Sequence, residues 1–135
     1  MSIYNYQNNI SAQKKHEVVI IDPYPIFRGV LCKMIRERIS NANISVAENI
    51  DQALQAIKYR TPDLVFLDIA MFEKNCADYI QEIKQASPET VITILTTHDS
   101  TEHKAASLKH GADYFISKIE TSGTKLIEIV EKTLS

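Results

Sequence analysis

The sequence predicts an α/β fold in which five β-strands alternate with five α-helices, the strands forming one parallel sheet covered by helices on both faces. Three observations carry this prediction. Val18-Val19-Ile20-Ile21, Leu64-Val65-Phe66-Leu67 and Val91-Ile92-Thr93-Ile94-Leu95 are short, nearly continuous apolar runs rich in β-branched residues, the pattern of strands buried on both sides. The segments between the strands carry apolar residues at helical spacing. Strict alternation of the two element types implies parallel pairing through right-handed crossovers.

Along the chain, residues 1 to about 15 (MSIYNYQNNISAQKK) are polar, Asn/Gln-rich and without period. They read as a mobile tail ahead of a domain over residues 16–135, although the Ile and Tyr residues leave docking on the body open. The first strand ends in Asp22, and Ile26, Phe27, Val30, Leu31, Met34, Ile35 and Ile39 form a helical stripe behind it. Asn43 to Glu48 alternates at Ile44 and Val46, as an edge strand does. Asn49 with Gln52 resembles a capping pair opening a helix lined by Ala53, Leu54 and Ile57. The third strand ends in Asp68, and Ala77, Ile80 and Ile83 mark a helix that Ser87-Pro88 closes. The fourth strand ends in Thr96. Asp99 with Glu102 resembles a second capping pair, and Gly111 is a natural stop. Between Asp99 and His110 only Ala105, Ala106 and Leu108 are apolar, so this helix is expected to be lightly anchored. Ala112 to Ser117 gives the fifth strand, which runs into Lys118, and Leu126, Ile127, Ile129, Val130 and Leu134 line the last helix.

Composition narrows the function classes. The 135 residues fit one domain, and 44% of them are hydrophobic, enough for an ordinary buried core. Fifteen basic against 17 acidic residues leave a net charge of −2, with no basic field for direct nucleic-acid binding and no polybasic membrane patch. No apolar run approaches the length of a membrane span, and no secretory signal is evident at the N-terminus. Cys32 and Cys76 are not a disulfide framework. Cys32 falls in the apolar helical pattern as a small core residue, and a reduced, cytoplasmic setting is expected. The three glycines form no Gly-x-Gly phosphate loop, and no Ser/His/Asp or Cys/His arrangement supports a hydrolytic enzyme.

In a doubly wound sheet, sites form at the carboxyl ends of the strands, where the strand order reverses. In the five-stranded order 2-1-3-4-5 that point lies between strands 1 and 3, which here end in Asp22 and Asp68. Thr96 and Lys118, after strands 4 and 5, would join them. A carboxylate can attack a phosphoryl group to form an acyl phosphate. Mg²⁺ prefers oxygen ligands and keeps several waters, a lysine can hold a phosphoryl oxygen as a point charge, and a hydroxyl can bond another. Each residue also has a plainer reading. An aspartate ending a strand can simply cap the next turn, Thr96 can be an ordinary strand terminus, Lys118 a surface lysine and Tyr24 a packing residue. His103 and His110, seven residues apart, read as exposed rather than as a metal pair.

Four segments together resemble response-regulator receiver domains of two-component signalling over roughly residues 16–134: VVIIDPYPIFRGVL, PDLVFLDIAM, VITILTTHDS and GADYFISK. The Pro25-x-x-Arg28 turn and the lack of proline after Lys118 resemble the NarL/LuxR-type subfamily. The resemblance implies the flavodoxin-like receiver fold of order 2-1-3-4-5. It implies a non-enzymatic phosphoprotein that at most catalyses its own phosphorylation and dephosphorylation. By position, Asp68 is the phosphoacceptor, and Asp22, Asp68 and the backbone carbonyl of Ala70 are Mg²⁺ ligands. Thr96 and Lys118 contact the phosphoryl group, Thr96 and Phe115 are the switch pair, and Ala70 and His98 tune the lifetime of the phosphoryl group. The implied partners are a histidine kinase or phosphotransfer protein, a second copy in a homodimer, and a LuxR-type DNA-binding output domain outside this chain. The pattern departs from the family at three places. Pro23 replaces the second acid after strand 1, which should weaken Mg²⁺ binding. Phe72 replaces a common proline, and Cys76 stands where glycine is frequent. Glu73 is a candidate to compensate for Pro23. The alternative function is a pseudo-receiver, a phosphorylation-independent dimerisation or docking module.

Overall fold

A computed structural model describes residues 15–72 and 76–134. Most of the N-terminal segment and Glu73 therefore lie outside the described residues. The elements are β1 (His16–Ile21), α1 (Pro25–Arg38), β2 (Ala42–Ala47), α2 (Ile50–Arg60), β3 (Leu64–Leu67), α3 (Cys76–Ala86), β4 (Val91–Thr96), α4 (Thr101–Lys109), β5 (Tyr114–Ser117) and α5 (Thr124–Leu134), with a 3-10 turn at Ile69–Met71 after β3. The strands pair in parallel in the order β2-β1-β3-β4-β5, as the alternation predicts.

Period-two alternation sends the apolar runs to both faces of the sheet. Val19, Ile21, Val65, Leu67, Ile92 and Ile94 face Ala53 and Ile57 of α2 and Ile80 and Ile83 of α3. Val18, Ile20, Leu64, Phe66, Leu95 and Ile116 face α1 and α5, where Leu31, Ile35, Leu126, Ile129, Val130 and Leu134 complete the second core. Every residue of β3 is buried. A fully buried central strand thus ends directly at Asp68.

Local details refine the sequence reading. Asn49 caps α2, its Oδ1 accepting the Gln52 N–H at 2.9 Å, and Gln52 reaches back to the Glu48 N–H at 3.2 Å. The expected Asp99 cap is a correction: α4 starts one residue later, and Ser100 Oγ accepts the His103 N–H at 3.1 Å. Asp99 instead accepts a bond from the Ser117 hydroxyl at 2.6 Å, and Glu102 sits in the first turn, where the helix dipole favours an anion. Gly111 has φ +122°, and a Cβ there would come within 3.0 Å of Lys84 Cγ, so both backbone and space require glycine. The α1 stripe is broader than its buried face: Leu31 and Ile35 are buried, but Ile26 and Val30 are 85% and 61% exposed. Helix α4 buries only Ser107, as its few apolar residues foretell.

Candidate functional site

The register of the sheet builds the site. Ile21 lies beside Leu67, and the Asp68 N–H continues that ladder to the Ile21 carbonyl at 2.8 Å. Asp22 and Asp68 therefore leave adjacent strands side by side. The Lys118 N–H bonds the Thr96 carbonyl at 2.8 Å, which brings the ends of β4 and β5 to the same edge. Asp22, Asp68 and Thr96 are all buried.

Each aspartate divides its two oxygens between a structural and a chemical partner. Asp22 Oδ1 accepts the Tyr24 N–H at 2.8 Å, and Asp68 Oδ1 accepts the Ala70 N–H at 2.8 Å, so both carboxylates do cap the turns that follow them. Their Oδ2 atoms converge on one ammonium: Lys118 Nζ lies 2.7 Å from Asp22 and 2.8 Å from Asp68. Thr96 donates its hydroxyl to Asp68 Oδ1 at 2.7 Å and accepts the His98 N–H at 3.1 Å. Capping and convergence therefore hold together. The cluster contains two carboxylates and one ammonium, formally a surplus of one negative charge.

Arg28 secures the turn that presents Asp22. It donates to the Asp22 carbonyl at 2.7 Å, and its other terminal nitrogen lies 3.6 Å from Glu48. In the sequence, Arg28 stood out only as part of the Pro-x-x-Arg turn of the subfamily resemblance, not for this contact. No local signal marked Phe27 as a site residue, because the stripe of α1 accounts for it. Its ring centroid is 4.0 Å from Lys118 Nζ, with the Tyr24 centroid at 4.9 Å.

The remaining expected residues lie around this centre in unequal ways. Ala70 sits in the 3-10 turn, whose own bonds run from the Met71 N–H to the Asp68 carbonyl and from the Phe72 N–H to the Ile69 carbonyl. They use carbonyls other than that of Ala70. Phe115 pairs with Ile94 in the sheet and is part-buried. His98 is exposed and reaches the cluster through its backbone, while its ring stands edge-on to His103 at 6.1 Å. Phe72 stacks on Tyr79 at 4.8 Å between centroids, which gives the aromatic a packing role where proline is common. His103 and His110 bond Ser100 Oγ and the Ala106 carbonyl respectively; they share no partner.

Cys76, at the start of α3, senses the site electrostatically. Burial first, and the negative charge of Asp68 second, push its thiol up to about 12. Thiolate is the reactive form, so at pH 8 only about one thiol in ten thousand is ionised. Alkylation of Cys76 in the folded protein is expected to be about a hundredfold or more slower than that of a free cysteine. The rate should rise with pH toward 12, and Asp68→Asn should raise it at fixed pH by removing one of the two causes. Iodoacetamide labelling followed by peptide mass analysis checks both.

A buried carboxylate at the end of a central strand, bonded to a hydroxyl, a backbone amide and an ammonium, defines an α/β module whose polar side chains gather around one acid. The chain matches the family model of the response regulator receiver domain over residues 18–131 and belongs to that family. It is similar to the sensory transduction protein LytR of Staphylococcus haemolyticus, 35% identical over 105 residues that make up 77% of this chain and 40% of the relative. The chain spans about half or less of the other curated relatives it matches. Among solved structures, the receiver domain of the putative response regulator NarL from Mycobacterium tuberculosis superimposes with a TM-score of 0.76 at 24% identity, covering 88% of this chain and 95% of that one. A response regulator from Burkholderia pseudomallei, solved with a phosphorylated aspartic acid, a calcium ion and citrate, gives 0.74 at 21% identity over 90% of this chain and 67% of that one. The chain is thus a receiver domain of two-component response regulators, a family whose general function is phosphorylation-based switching. No helix of the described residues is long and apolar enough to cross a membrane.

Proposed function

We propose that Asp68 accepts the phosphoryl group. The observation that carries this reading is the convergence of the Thr96 hydroxyl, the Ala70 amide and the Lys118 ammonium on that one buried carboxylate. A carboxylate oxygen of Asp68 attacks phosphorus, and the bond from phosphorus to the donor nitrogen of a phosphohistidine breaks. The electron pair stays with the leaving imidazole, which takes up a proton. Lys118 and Thr96 then transfer their bonds from the carboxylate to phosphoryl oxygens. Positioning and charge compensation of this kind supply most of the catalysis in phosphoryl transfer.

The donor set also suits Mg²⁺, which takes hard oxygen ligands and retains waters. Asp22, Asp68 and the Ala70 carbonyl would hold it, and it would neutralise charge on the transferring oxygens. The acids on offer number two, because Pro23 stands where the family usually has a third. With one carboxylate fewer than the family usually offers, weak binding is expected.

Movement of Thr96 toward the phosphoryl group would be read by Phe115 on the neighbouring strand and passed to the surface of α4, β5 and α5. The thin anchoring of α4 supports such a two-state element. A histidine kinase or phosphotransfer protein is the proposed donor. A homodimer and a LuxR-type DNA-binding output domain beyond this chain are the proposed recipients of the signal. A pseudo-receiver is the second reading, favoured by Pro23 and by an Asp68 whose two oxygens are already bonded. Reaction with a small phosphodonor and Mg²⁺, followed by NMR, separates the two. Amide shifts at Thr96 and Phe115 that vanish in Asp68→Asn support the switch; an unperturbed spectrum supports the pseudo-receiver.

A further inference from the structure

We infer that Phe27, assisted by Tyr24, is a positioning residue that clamps the Lys118 ammonium between Asp22 and Asp68, making it a resident counter-cation with which a divalent metal must compete. The consequence for metal rests on the reading of the two aspartates as metal-binding acids; the clamp itself does not.

Four contacts fix Nζ: two carboxylate oxygens at 2.7 and 2.8 Å, and two aromatic rings at 4.0 and 4.9 Å from their centroids. The side chain of Lys118 is only 7% exposed, so solvent does little to weaken these interactions. A ring face attracts an ammonium through its quadrupole, most strongly where both are desolvated. Phe27 is anchored for this task. It lies in the first turn of α1, part-buried against the core shared by α1 and α5, while Arg28 beside it ties the helix start to the Asp22 carbonyl. Tyr24 is 49% exposed and closes the cluster from the solvent side.

This geometry bears on metal binding because the same Nζ occupies Oδ2 of both acids. With each Oδ1 already engaged by a backbone N–H, an incoming Mg²⁺ would compete with the ammonium for the Oδ2 atoms. Attraction to the rings holds it in place without offering the metal any ligand. Pro23 and the aromatic clamp thus act in the same direction, the first by removing an acid and the second by retaining the competing cation.

The test uses wild type, Phe27→Leu and Tyr24→Leu, each checked for a dispersed amide spectrum. Leucine keeps apolar bulk and removes the ring. Tyr24→Leu alters a half-exposed position and serves if Phe27→Leu does not fold. In wild type the ε-methylene protons of Lys118 should be shifted upfield by the ring currents, and they should move toward their ordinary position in Phe27→Leu, less so in Tyr24→Leu. Mg²⁺ titration should show about threefold to tenfold tighter binding in Phe27→Leu. An ordinary ε-methylene shift in wild type, or one unmoved by either substitution, overturns the clamp, as does measurable Mg²⁺ binding that the substitutions leave unchanged. A shift that relaxes as expected with no Mg²⁺ binding in any variant sustains the clamp and removes the metal-assisted reading of Asp68.

Discussion

Lys118→Met is expected to destabilise the domain by about 3–5 kcal/mol, the cost typical of stranding buried charge. The side chains of Lys118 and Asp22 are 7% and 4% exposed, and that of Asp68 is fully buried. Methionine keeps most of the apolar stem packed near Tyr24 and Phe27 but leaves two adjacent carboxylates without their shared cation. Urea unfolding measures the loss. Adding Asp22→Asn should recover part of it, because the two positions share one interaction and cannot be additive. A loss below about 1 kcal/mol, the range of exposed ion pairs, would contradict the description of this cluster as a buried one.

The second large effect is a gain. Pro23→Asp is expected to tighten Mg²⁺ binding by about tenfold or more, since affinity for a hard divalent cation rises steeply with the number of carboxylates offered. Position 23 is exposed and carries no side-chain bond to the site, so an aspartate there can be accommodated. The Asx turn closed by the Tyr24 N–H onto Asp22 does not involve the proline nitrogen. Titration calorimetry of the two proteins under identical salt gives the ratio. Equal affinities would show that the missing acid is not what limits metal binding, leaving the Lys118 clamp as the dominant restraint.

The sequence disclosed features governed by neighbours along the chain or by burial on both faces. Strands β1, β3 and β4 were legible because a strand covered on two sides must be apolar throughout, and their ends at Asp22, Asp68 and Thr96 followed. Gly111 was legible because a helix stop with positive φ excludes most other residues. The α4 cap was misplaced by one residue, since Asp99 and Ser100 are both good caps and only the contact of Asp99 with Ser117 decides between them. Exposure of Ile26 and Val30 was hidden for another reason: apolar spacing marks a stripe without saying how much of it a neighbour covers. The role of Phe27 was invisible because its partner is Lys118, brought near only when the ends of β1 and β5 reach the same edge of the sheet. Four segments in the right order pointed to the family; the hydrogen-bond economy of the two aspartates, with Oδ1 spent on turns and Oδ2 on the ammonium, required the geometry.

Asp68 is proposed to be a working phosphoacceptor even though Pro23 stands where the family usually has a second acid. Intact mass measured after incubation with a small phosphodonor and Mg²⁺ tests it most directly, with Asp68→Asn treated in parallel. A single phosphoryl adduct on the wild-type protein that is absent from Asp68→Asn is the predicted result. No adduct at any Mg²⁺ concentration, or an adduct that persists in Asp68→Asn, would contradict it.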